Sequence, residues 1–580
     1  MRIGFGDEPR FDGKATLGTL SATQTAALQA LLPNVADTSF GHSFPHGSVS
    51  LVADSVDVLG LPAVDLVADA QWSPETFSFS QLNVAGWGGL SVDGKASIAG
   101  ALNAPRITGS GDIDVLEADS PALELIYEAA GLPFEWQQGL AGAWPAALQF
   151  VLSDGDTGAA QVLTLSGTLG EGDFDLRAEM ADGLPALTTG DLRLVASLEG
   201  QADAVQSQFG FADRVLFDGP EPLVASLFVD GSATEGFEGR VALSQGGQSL
   251  SYFGDLAVAA DGQISGAGTL EAQLDAGNGL AALAGAAGAS LGAVDASAAL
   301  RFDGTTSVVL DNISAVVGNE GVRGTLTLGR TGEMPSWSGS LETDALDAGG
   351  LAAAFFGTEA LLGVAPETGP WPEGPLAADT EQRSSRGDVS INAGKVTANG
   401  VDVFGPTEFS YGWDADAINL RNLQADIGAG TLAMNVTLCC SGPLTDRTLS
   451  GRVTLAGVDL DALTPGPLAS GLAGLVDGGL QFEGTGASLA DVMRAMTGEG
   501  NFSVADFAAT GLSPSVFPTV AAIDDPLNTD ADTLETLTGL GLSQGDFTAD
   551  LAQGAFTIAG GTARLANLII EGQGGALRAA

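Results

Sequence analysis

LRNLQADIGAG at 420–430 and TLSGRVTLAGVDLD at 448–461 decide how this chain reads. The first piece places an apolar residue, a variable one, an Asn or Gln and a second apolar residue ahead of a glycine cluster. The same arrangement recurs at Phe79-Ser80-Gln81-Leu82, Leu310-Asp311-Asn312-Ile313 and Leu565-Ala566-Asn567-Leu568. Glycines follow these copies at Gly86/Gly88/Gly89, Gly318/Gly321 and Gly572/Gly574/Gly575, as they do at Gly428/Gly430 in the quoted piece. In the second piece a glycine opens an alternating strand that ends in an acidic turn. It recurs as RITGSGDIDVLEAD around Gly109 and SWSGSLETDALD around Gly339. The offsets between the two motifs are 30, 29 and 31 residues. Self-similarity at a fixed spacing is the mark of a repeat architecture. The fourth copy opens at Leu565 and the chain stops at Ala580, so a truncated piece of a longer repeat protein is expected.

Between the motifs, apolar and polar residues alternate. Leu163 and Leu165 alternate with Val162, Thr164 and Ser166; Val322, Leu326 and Leu328 with Arg323, Thr325 and Thr327; Val389, Ile391 and Ala393 with Ser390 and Asn392. This two-residue period belongs to strands with one apolar face. Nine Asp-Gly pairs punctuate the chain, among them Asp12-Gly13, Asp93-Gly94, Asp261-Gly262, Asp303-Gly304 and Asp477-Gly478. Between alternating runs they predict hairpin turns. Short helices are expected at 23–32, 120–130, 349–356, 489–496 and 529–537, with Ser120 and Ser488 as N-caps. The predicted fold is mainly β: a long, twisted, curled antiparallel β-sheet built from degenerate repeats, with a few short helices. Three regions are expected, at 1–205, 206–445 and 446–580.

Composition bounds the function. The 580 residues are 45% hydrophobic and 16% charged, with 72 Asp+Glu against 21 Lys+Arg and a net charge of −51. A polyanion of this size cannot hold nucleic acid by phosphate neutralisation. The mean hydropathy of +0.23 argues against disorder. No signal peptide and no membrane-spanning helix is visible.

Few residue constellations point to chemistry. His42 and His46, the two histidines, are read as loop residues beside Gly41, Pro45 and Gly47, not as metal ligands. Asn528, Asp530 and Asp532 echo the start of a calcium loop. Thr533 stands where that loop needs glycine and Gly539 where it needs its last ligand, so a solvated acidic turn is expected. The adjacent Cys439 and Cys440 are expected as two thiols, because neighbouring side chains on a strand point apart. The segment 276–294, rich in Ala and Gly, reads as a connector or weak helix. No catalytic residue, cofactor or metal site is assigned.

The stretch from Leu449 to Ala580 resembles the C-terminal region of the bacterial AsmA-like family. The resemblance is carried by LSGRVTLAGVDLDALTPG, GLVDGGLQFEGTGASLADVMRAMTGEGNFSVADFAATGLS and GAFTIAGGTARLANLIIEGQGGALRAA. It implies a bridge-like lipid transfer protein of the periplasm, anchored in the inner membrane and moving phospholipid toward the outer membrane. The family's usual N-terminal anchor is not visible, so contact with both membranes is expected through parts missing from this chain. The implied partners are phospholipid acyl chains held in a β-groove, with no nucleic acid and no catalysis. Leu326, Leu328, Val453 and Leu455 are the candidate groove residues, although a one-residue slip in register would turn them to the other face. A structural or adhesion-type β-repeat protein and a β-helical polysaccharide hydrolase are the alternatives. The second needs clustered aromatics, which are scarce at 6%.

Overall fold

The computed structural model describes residues 1–5, 7–29, 43–99, 106–117, 119–130, 143–187, 189–208, 216–217, 219–259, 262–283, 291–304, 306–330, 334–362, 370–376, 383, 385–440, 447–463, 471–523, 528–566 and 568–579. Strand takes up 62% and helix 15%, which places the chain in the mainly β class. Among the described residues, twenty-eight strands belong to one main sheet, mostly antiparallel. They fall into two compact units, Met1–Leu274 with Ser297–Thr306, and Asp275–Ala296 with Ser307–Ala580.

The first unit begins with β1 (Arg2–Gly4), β2 (Arg10–Leu20), β3 (His46–Val58), β4 (Leu61–Trp72), β5 (Thr76–Trp87), β6 (Leu90–Ala99) and β7 (Arg106–Val115). β1 pairs antiparallel with β2, and β2 runs parallel to β3. From β3 onward each strand pairs antiparallel with the next in sequence, as far as Ile264–Leu274. Because strand direction alternates, every second connection falls on the same edge. That edge carries both the two-residue turns and the helices. At the β5–β6 turn Gly88 and Gly89 have φ 52° and 91°, the left-handed pair that matches the twist of a tight hairpin. The helix Pro121–Ala130 docks on this turn: Ala122 N–H donates to Gly88 O at 3.1 Å, and the Ser120 hydroxyl donates to the same carbonyl. Farther along the edge, Gln208 of the helix Ala202–Gln208 donates to Leu169 O at 3.1 Å.

In the second unit, Ser307–Val317, Glu320–Gly329 and Ser336–Thr343 form an antiparallel run. Ser336–Thr343 then lies parallel to Arg386–Ala393, and antiparallel pairing resumes from there to Thr562–Leu565. Its largest core gathers Phe409, Tyr411, Trp413, Leu420, Leu423 and Leu449 from the strands. Phe355, from the helix Ala348–Phe356, and Val492, from the helix Leu489–Ala495, join that core. Here the apolar sheet face is covered by helices. Three helices of this unit, Ala348–Phe356, Leu489–Ala495 and Ala531–Leu542, start at a cap that satisfies a free backbone N–H: Asp347 accepts from Gly350, Ser488 from Asp491 and Asp530 from Thr533.

The five helices expected from sequence are present, at Ala22–Gln29, Pro121–Ala130, Ala348–Phe356, Leu489–Ala495 and Ala531–Leu542. The Asp-Gly expectation needs correction. Asp12-Gly13, Asp93-Gly94, Asp230-Gly231 and Asp477-Gly478 lie inside strands. Gly94 sits opposite Gly111, and a Cβ on Gly94 would come within 2.6 Å of Ser110 O. Close approach of two backbones, not a turn, demands glycine there. Asp303-Gly304 does leave a strand as a turn. A second correction concerns Cys439 and Cys440, which are joined by a disulfide. A third concerns His46, which is the first residue of β3 and not a loop residue; His42 lies outside the described residues. Asp530, read as part of a solvated acidic turn, is a helix cap. Thr533 holds its carboxyl below the ordinary carboxylate value through a backbone and a side-chain hydrogen bond. Of the segment 276–294, Asn278–Leu283 is helical and 284–290 lies outside the described residues.

Candidate apolar ligand site

The repeat motif has a structural meaning that spacing alone did not reveal: it is a β-bulge. Register slips between Phe79 and Leu82, between Leu310 and Ile313, and between Leu420 and Leu423. Asn312 and Asn422 take φ 51° and 54°, the left-handed region that asparagine tolerates better than most residues. The backbone N–H of Asn422 donates to the Asn435 side chain at 2.8 Å. On a regular strand, residues three apart face opposite ways. The extra residue of a bulge cancels that parity and brings both apolar side chains to one face. Leu420 and Leu423 are accordingly both in the core of the second unit, 6% and 5% exposed. Asn567, in the fourth copy, lies outside the described residues.

In the first unit the same device lines a cavity. Phe79 and Leu82 of β5 point into a space of about 650 Å³ bounded by β2 to β6. On β4 the inward residues are Ala63, Leu66, Ala68, Ala70 and Trp72. Their spacing changes from three to two at Leu66, beside Asp65, whose backbone takes φ 52°. β3 contributes Val49, Leu51, Val56 and Val58. Trp72 and Trp87 stand at the two ends of β4 and β5. Their indole N–H groups donate to the carbonyls of Phe44 at 3.0 Å and Val58 at 3.1 Å. With those donors satisfied, both rings present apolar surface. Phe11 stacks on Trp72 with centroids 6.4 Å apart. A polar side chain enters at Thr25 of the helix Ala22–Gln29.

Nearly all of this wall is aliphatic or aromatic. Its size lies within the ~300–1,000 Å³ typical of small-molecule pockets, and it offers aliphatic and aromatic surface. Each methylene moved from water into such a space gains about 0.8 kcal/mol.

The residues proposed from sequence lie elsewhere. Leu326 and Leu328 are half-buried on Glu320–Gly329, and Val453 and Leu455 are half-buried on Thr448–Asp459. Leu326, Val453 and Leu455 pack against the helix-covered core of the second unit. Leu328 pairs with Val308 and Trp337 on the neighbouring strands. None of the four lines the β2–β6 cavity. The signal that could have found it is the three-residue spacing of apolar residues on β4 and β5, which plain alternation hides. Among the described residues no group of three or more His, Cys, Asp or Glu is placed to hold a metal ion, and no helix is long and apolar enough to cross a membrane. Comparison with protein-family models, with curated proteins and with solved structures found no match.

Proposed function

We propose that this chain binds lipid acyl chains without catalysis, as part of a periplasmic protein that moves phospholipid between membranes in the manner of the AsmA-like family. One observation carries the proposal: the sheet of the first unit turns an apolar face, with bulges on β5, toward a space of about 650 Å³ that the described residues leave unfilled. A face of this kind in the second unit is filled by helices. A sheet face left apolar in water needs an occupant, and an acyl chain matches a wall of Val, Leu, Ala, Phe and Trp. The acidic exterior keeps the molecule dispersed and argues against broad contact with an anionic bilayer surface.

The test is photocrosslinking of the purified chain with a phospholipid that carries a diazirine on its acyl tail. Adducts should map to β2–β6 and be lost in Ala68→Trp, which fills the space. Absence of adducts, or adducts spread over the polar faces, would remove the acyl-chain reading and leave a structural β-repeat.

A further inference from the structure

We propose that Cys439–Cys440 is a redox-active pair that a dithiol reductant opens, with Cys440 leaving as a thiolate beside the buried Arg447. Its state then reaches the helix Leu489–Ala495 through the Arg447 backbone. The disulfide joins neighbours in sequence. In the chain-entropy account a disulfide stabilises by closing a loop of the unfolded chain, more for longer loops. This one closes no loop, so restraint of the unfolded chain gives no reason for it. The pair comprises both cysteines of the chain, and each is half-buried, within reach of a reductant. The ring also bears on where the strand Gly430–Cys439 stops. Successive side chains on a strand point to opposite faces, whereas the bond holds the two sulfurs together. Cys439 pairs with Ala417 and with Thr448. In that register Cys440 falls opposite Arg447, and the strand ends one residue short of that pair.

Arg447 is the second observation. It is 3% exposed, and its guanidinium donates to the Cys440 carbonyl. A guanidinium keeps its charge. Held at the backbone of Cys440, that charge favours the thiolate over the thiol, and the thiol of lower pKa leaves faster. Asp414 and Asp416, in the turn before Ala417, are exposed, and water screens exposed charges far more than buried ones. Arg447 also leads away from the pair. Its carbonyl accepts from Gly486 N–H at 2.9 Å, two residues before Ser488, the cap of Leu489–Ala495. That helix contributes Val492 to the core. Opening the ring frees Cys440 to continue the strand against Arg447, which shifts Arg447 and loosens its hold on Gly486.

The step balances with a dithiol. One thiolate of the reductant attacks Cys439 Sγ, the Sγ–Sγ bond breaks, and its electron pair leaves on Cys440 Sγ. The reductant's second thiol gives its proton to Cys440. The thiolate so formed attacks the reductant's own sulfur in the mixed disulfide and expels Cys439. Cys439 takes from solvent the proton that the first thiol lost. The pair gains two electrons, and the dithiol is oxidised to a cyclic disulfide.

The experiment uses the full chain as wild type, Arg447→Gln, Arg447→Lys and the double variant Cys439→Ser with Cys440→Ser, each checked by its melting curve. In wild type, about 1 mM dithiothreitol should open the pair in the folded chain, with both thiols counted by mass after maleimide labelling. Glutathione followed by N-ethylmaleimide should leave glutathione on Cys439 and maleimide on Cys440, read from fragment ions that separate the two residues. Arg447→Gln should slow reduction about tenfold, and Arg447→Lys should restore most of the rate. Reduction should speed hydrogen exchange at Gly486 N–H in wild type and leave the double variant unchanged. No thiol released from the folded chain would overturn the redox activity and leave a static end to the strand. Glutathione on Cys440, or on both cysteines alike, would overturn the choice of leaving group. That result comes from wild type and decides the point even where Arg447→Gln does not fold. Unaltered exchange at Gly486, or an equal change in the double variant, would overturn the link to the helix.

Discussion

Tyr411 shows how much one buried hydroxyl can report. Its phenol donates to Ala354 O at 3.0 Å, and burial pushes its pKa up to about 12, against a smaller opposing pull from Arg383. The folded value lies above the unfolded one of about 10. Its contribution to stability is therefore complete below about pH 10 and is lost as pH rises toward 12. Absorbance at 295 nm should show a tyrosine component that ionises only near pH 12, and Tyr411→Phe should abolish it. A Tyr411 that titrates at the ordinary phenol value of about 10 would contradict the burial. Asn422 is the second residue-scale case. Replacing it with Ala should lower stability by about 1 kcal/mol, because alanine resists the left-handed conformation, while Asn422→Gly should cost less. Urea midpoints separate the two outcomes. The motif around Asn422 was legible in the sequence as a recurrence. Its role was not, because spacing counts residues and says nothing of φ.

At the scale of elements, two substitutions probe why strands and helices begin and stop where they do. Ser488→Ala removes the acceptor for Asp491 N–H at 3.1 Å and should destabilise by about 1 kcal/mol. Thermal melting of the full chain is the readout, and an unchanged melting point would mean that packing of Val492 alone sets that helix. Gly111→Ala puts a methyl group against the backbone of Asp93 and Gly94 across β6–β7. Overpacking of this kind should cost about 1–3 kcal/mol. Helix positions were readable in advance, because capping residues and apolar periodicity lie close together in the chain. Strand-internal Asp-Gly pairs were not, because the glycine is demanded by a neighbouring strand remote in sequence. The cavity escaped for a related reason: the apolar residues of β3, β4 and β5 that share its wall keep no single two-residue period, and β5 carries bulges that shift its parity, which single-strand alternation does not anticipate.

For the whole molecule, charge is the dominant fact. Carboxylates outnumber cations by 72 to 21, and ion pairs such as Arg177–Glu179 and Arg494–Glu373 are exposed, so each adds little. Self-repulsion should therefore be screened by salt, and the melting temperature should rise between about 20 and 500 mM NaCl, where the Debye length falls several-fold. A melting temperature that falls with salt would mean that attractive pairs outweigh the net charge. The β class and the repeat were legible at this scale from composition and period. The two parallel pairings recorded for the main sheet among the described residues were not, since alternation is the same for either strand direction. Those pairings bear on how the chain reaches its native state. Nearly every strand finds its partner in the strand just synthesised, so closing each hairpin requires only a short loop and the ladder can lengthen in step with the emerging polypeptide. Arg386–Ala393 breaks that rule: its partner Ser336–Thr343 must wait through the segment 344–385, which makes this crossover the natural place for folding to pause.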